Sequence, residues 1–138
     1  MKSFCVLVFI ALGVICSVKC KPGLTVEQFA KITEYSKKCR ETSGATVEQM
    51  LKVMAGEYEN DPKLKAQLFC INKKVGIQDE SGKLNMAAIM AKLSKLTSGE
   101  KETEDVMRSC AVDKESPEET AYSALKCVFD TKGINLIG

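Results

Sequence analysis

At 138 residues, with 45% apolar and 28% charged residues, the chain has the size of one domain and an ordinary globular composition, which excludes collagen-like, disordered and polytopic membrane classes. It holds no histidine and no tryptophan, and its formal net charge is +2. Without histidine, the commonest general base and metal ligand, Ser/His/Asp hydrolases, Cys/His proteases and most zinc enzymes are excluded; the chain is expected to be no enzyme and to need no metal or cofactor.

The chain opens on Lys2 and an apolar run from Phe4 to Cys16, too short to span a bilayer with polar flanks, so residues 1–20 read as a secretory signal peptide. Val18 and Cys20 are small enough for the two positions a signal peptidase reads, which places the cut after Cys20 and leaves residues 21–138 as one secreted, extracellular domain. Cys5, Cys16 and Cys20 leave with the leader, and the loss of Lys2 and Lys19 takes the 20 basic residues to 18, equal to the 18 acidic ones. A neutral mature chain with no basic cluster interleaved with aromatics gives no reason to expect nucleic acid, and no later apolar run is long enough for stable membrane insertion.

Helix punctuation then follows in chain order. Thr25-Val26-Glu27-Gln28 and Thr46-Val47-Glu48-Gln49 have capping-box spacing, and Asp61-Pro62 and Ser116-Pro117 each give an N-cap followed by proline at the first helical position. Gly44, Gly56, Gly76, Gly99 and Gly133 fall where helix ends are expected. Apolar residues recur at three and four between these marks, as in Leu64/Leu68/Ile71, Met86/Met90/Leu93, Val106/Met107/Cys110 and Ala121/Ala124/Leu125/Val128. The spacing predicts an all-α fold of six helices near 25–41, 46–56, 62–75, 85–97, 100–112 and 117–131, without strands. The tail Ile134-Asn135-Leu136-Ile137 is apolar again and is expected to pack back onto the body.

Four cysteines remain after the leader: Cys39, Cys70, Cys110 and Cys127, one in or at the edge of the first, third, fifth and sixth helix. A secreted setting makes them two disulfides, for which the residues alone leave three connectivities open. Zinc is disfavoured, since neither a CxxC pair nor a histidine supplies the ligand spacing.

In these positions the chain resembles the insect odorant-binding proteins of the PBP/GOBP family. Cys39 matches the family's first cysteine; after 26 intervening residues Ala66 stands at the second position, and Gln67-Leu68-Phe69 lead to Cys70 at the third. Cys110 follows after 39 more residues at the fourth position, Glu118 stands at the fifth and Cys127 at the sixth. The two missing cysteines are bonded partners in the family, so the chain looks like a member of its four-cysteine, minus-C group. The resemblance implies the pairs Cys39–Cys70 and Cys110–Cys127 and a compact helical bundle around an apolar cavity.

It also implies a carrier of small hydrophobic molecules, odorants, pheromones or similar lipophiles, moving through aqueous lymph as a monomer or weak homodimer with a membrane chemoreceptor as candidate recipient. Aromatic residues are scarce at 6%, while methionines supply flexible, polarizable side chains. The candidate pocket wall is Phe29, Ile32, Met54, Leu68, Met90, Leu93, Met107, Ala124 and Val128, with Thr33, Tyr35, Ser36 and Tyr122 able to offer one hydrogen bond. The alternatives are a carrier of the same fold outside olfaction, in haemolymph, saliva or seminal fluid, and a secreted helical signalling protein that acts through its surface.

Overall fold

The computed structural model describes residues 5–9, 14–18 and 26–137. Among them two strands, β1 (Cys5–Phe9) and β2 (Val14–Val18), pair antiparallel with Cys5 opposite Val18. Both lie in the apolar segment read as a leader, whose β-branched residues satisfy a ladder as well as they satisfy an apolar run. Thr25 and Cys20 lie outside the described residues.

Six helices then follow: α1 (Val26–Ser43), α2 (Val47–Met54), α3 (Pro62–Val75), α4 (Met86–Ser94), α5 (Glu100–Cys110) and α6 (Pro117–Lys132). Their ends are set by local chemistry. Thr46 accepts from the Gln49 amide at 3.0 Å while the Gln49 side chain accepts from the Thr46 amide at 2.9 Å, closing the expected capping box. Asp61 and Ser116 cap α3 and α6 ahead of Pro62 and Pro117. The sequence expected α4 to run to residue 97, but it stops at Ser94, and Leu96 and Thr97 turn back to hydrogen-bond the Leu93 carbonyl. Gly99 opens α5 in extended backbone (φ 177°), where a C-terminal cap was expected.

α3 lies between α1 and α6, and α5 packs against both α4 and α6. Leu64, Leu68 and Ile71 of α3 are fully buried, as periodicity of three and four requires of a central helix. Buried amides tie the layers together. Gln67 donates to the Ser36 carbonyl of α1 at 2.9 Å and accepts from the Ser43 hydroxyl at 2.7 Å. Asn72 donates to Gln78 at 2.7 Å, and Gln78 in turn donates to the carbonyls of Gly82 at 2.9 Å and Pro117 at 3.1 Å. The disulfides are Cys39–Cys70, joining α1 to α3, and Cys110–Cys127, joining α5 to α6, with Cα atoms 5.8 Å and 5.4 Å apart.

Two glycines are demanded by the packing. Gly56 (φ +89°) lies under Phe129, where a Cβ would come within 2.1 Å of the ring. Gly82 (φ +91°) meets Pro117, where a Cβ would come within 2.4 Å.

Candidate ligand cavity

The cavity forms where five pieces of chain meet. α4 contributes Ile89 and Leu93, α5 contributes Val106, Met107 and Cys110 with Ala111 just beyond it, and α6 contributes Ala124, Leu125 and Val128. Ile77 closes it from the α3–α4 connection and Leu136 from the C-terminal tail. All eleven lining residues are apolar, so the space offers a guest burial and no hydrogen bond. Its volume is about 10 Å3, the room of a single water.

Local structure explains how each wall arrives. Val106 and Cys110 stand four apart on α5, and Ala124 and Val128 four apart on α6, so each helix turns one stripe inward. Gly76 takes the left-handed conformation (φ +85°) and the Ile77 amide donates to the Asn72 carbonyl at 2.9 Å, a Schellman-type ending that drives the next apolar residue back into the body. Hydrogen bonds hold the tail: Asn135 donates to the Val53 carbonyl at 3.2 Å and, more weakly, to the Met54 sulfur at 3.8 Å, and Lys92 on α4 donates to the Leu136 carbonyl at 3.2 Å. Leu136 and Ile137 are buried behind them.

Of the residues named from the sequence, Leu93, Met107, Ala124 and Val128 line this space. Leu68 is fully buried in the core beyond the lining, and Ile32 is half-buried on α1. Met54 and Met90 sit at the surface, 37% and 38% exposed. The side chain of Phe29 lies outside the described residues. Periodicity had already marked Val106, Cys110 and Leu125 as helix-face residues without assigning them to the wall. Ile77 was signalled by its place after Gly76, and Leu136 by the apolar tail.

None of the four polar candidates lines the cavity. Tyr122 donates to the Tyr58 carbonyl at 3.0 Å, the Ser36 hydroxyl accepts from Arg40 at 3.0 Å, Tyr35 lies beneath Lys74, and Thr33 is exposed. Burial pushes the Tyr58 phenol up, with Asp130 adding to the effect. Among the described residues no group of three or more His, Cys, Asp or Glu is placed to hold a metal ion, and no helix is long and apolar enough to cross a membrane.

Residues 22–131 match the profile of the PBP/GOBP family. The B2 protein of Tenebrio molitor is 37% identical over 110 residues, covering 80% of this chain and 86% of that protein. Among solved structures, the THP12 carrier protein from yellow meal worm is 34% identical, with a TM-score of 0.58 over 70% of this chain and 90% of its own. The fatty acid binding protein OBP56a from the oral disk of the blowfly Phormia regina shares the fold at 24% identity, with a TM-score of 0.64 over 80% of this chain and 96% of its own.

Proposed function

The chain belongs to the PBP/GOBP family, and on that premise we propose that it is a secreted carrier that takes small hydrophobic molecules into the cavity between α4, α5, α6 and the tail. Residues 1–20 are its signal peptide and residues 21–138 the carrier. The carrying observation is a small, partly open space at a helix junction with a wholly apolar lining. Leu93, Met107, Ala124 and Val128 are its proposed contact residues, joined by Ile77, Ile89, Val106 and Leu136.

A space of about 10 Å3 admits a guest only if a wall moves. The tail is the wall with the least to lose, since no disulfide crosses it and a few hydrogen bonds and the side chains of Ile134, Leu136 and Ile137 hold it. For a ten-carbon guest, burial at about 0.8 kcal/mol per methylene gives roughly 8 kcal/mol gross, and opening and immobilisation reduce it. Dissociation constants of about micromolar order follow. An apolar lining discriminates poorly among chains of similar length, so selectivity is broad.

A second reading, a secreted helical protein acting through its surface, is favoured by the near-filled interior together with Val47, Leu51 and Met54, which share an exposed face of α2. Titration of the mature protein with N-phenyl-1-naphthylamine separates the two. Saturable binding displaced by decan-1-ol supports the carrier; no binding leaves the surface reading.

A further inference from the structure

Among the described residues, the cation beside the cavity meets no anion. Five lysines among the described residues are half-buried, and four of them meet a carboxylate: Lys52 with Glu59, Lys65 with Glu119, Lys73 with Glu80 and Lys126 with Asp130. The fifth, Lys92, makes no ion pair with any described residue; its ammonium donates to the neutral carbonyl of Leu136 at 3.2 Å. Burial, with Lys95 close by, holds that ammonium below the ordinary lysine range.

Its place is specific. Lys92 follows Ile89 by three residues and precedes Leu93 by one, both cavity-lining, and the carbonyl it holds belongs to Leu136, whose side chain lines the same space. The charge therefore stands at the rim where α4 meets the tail, the seam that a guest has to part. A guest with a neutral head breaks the Lys92 contact on entry and returns at best another neutral one. A guest with a carboxylate head replaces it by a charge-assisted bond to a partly desolvated ammonium, the stronger kind.

We propose that Lys92 is the head-group site of this cavity and that the ligand class it selects is the medium-chain carboxylate, held with its chain among Leu93, Met107 and Val128 and its head at the α4–tail seam. This rests on the carrier reading above. No covalent step is involved, and the tail carbonyl released by the guest turns to solvent.

The test is calorimetric titration of the mature protein at pH 7.5 with decanoate and with decan-1-ol, which share a chain and differ in the head. Decanoate is expected to bind about tenfold tighter. Lys92→Gln, which keeps a donor for the Leu136 carbonyl but no charge, is expected to bring the two affinities together, and Lys92→Arg to keep them apart. If Lys92→Gln does not fold, the salt dependence of the wild-type ratio carries the test: the preference should fall between about 20 mM and about 500 mM sodium chloride, chosen to span about a fivefold range of screening length. Equal affinity for the two ligands, or a ratio that survives both Lys92→Gln and salt, would overturn the head-group site and leave the carrier reading standing. Binding of neither ligand would overturn both.

Discussion

Tyr122 on α6 donates its phenolic hydroxyl to the backbone carbonyl of Tyr58, 3.0 Å away, and the two rings meet edge to face with centroids 6.2 Å apart. The contact fastens the connection between α2 and α3 to the last helix, 64 residues later. Tyr122→Phe keeps the ring pair and deletes the donor, so it should cost about 1 kcal/mol by urea unfolding. A loss of several times that would mean the ring has moved as well.

Gly56→Ala should be far worse. The added methyl meets the Phe129 ring at 2.1 Å on a backbone with φ +89°, combining overlap with a conformation that alanine resists. Overpacking and backbone strain together should cost about 2–4 kcal/mol. The double variant Gly56→Ala/Phe129→Leu should recover part of it in the same measurement.

Mature protein starting at Lys21 should hold no reactive thiol, because its four cysteines are paired. Thiol titration of denatured, unreduced protein checks this. By loop entropy the 31-residue and 17-residue separations make the bonds worth about 3.5 and about 3 kcal/mol.

Leu93→Ala removes a fully buried cavity wall and should cost about 2–5 kcal/mol. On the carrier reading, decan-1-ol at about a hundred times its dissociation constant should return about 2.7 kcal/mol. Leu68→Ala, equally buried but away from the lining, should cost as much and leave decan-1-ol affinity unchanged. Thermal unfolding with and without the alcohol reads both.

Stability should be flat from about pH 7.5 to 5, because no side chain in this histidine-free sequence has its ordinary pKa there. Asp79 is held below the carboxylate range by the Ser81 hydroxyl and then the Lys83 amide, and Glu102 by the Ser98 amide and then Lys132. Groups depressed on folding contribute fully above their unfolded pKa, near about 4, and lose the contribution as pH falls through the lower folded value. Melting temperatures should therefore drop only below about pH 4; a step centred between pH 6 and 7 would contradict this.

How far the sequence reached can be seen by comparing α5 with α4. On α5 the charges of Glu100, Lys101, Glu104, Asp105 and Arg108 occupy one side, so Val106 and Cys110 can only face inward, and periodicity alone identifies them. α4 reads Met86-Ala87-Ala88-Ile89-Met90-Ala91-Lys92-Leu93, with two apolar stripes of the same four-residue spacing, Met86/Met90 and Ile89/Leu93. Either satisfies the pattern, and packing turns Ile89 and Leu93 in and Met90 out. The same ambiguity on α2 leaves Met54 outside while Met50 and Val53 are buried. Caps and proline positions located the helices because they act within a few residues; the wall depends on which of two stripes neighbouring helices select. The hydrogen bond from Lys92 to the tail, 44 residues away, left no local mark at all.

The two disulfides guard different things. Cys39–Cys70 crosses between α1 and α3, outside the cavity, so cutting it loosens the scaffold and leaves the cavity lining intact. Cys110 is itself part of the lining, and its bond to Cys127 fixes the spacing between the two helices that supply six of the eleven lining residues. Two cross-links of similar thermodynamic weight thus divide the labour, one tying the scaffold helices together and the other setting how far apart two walls of the cavity stand.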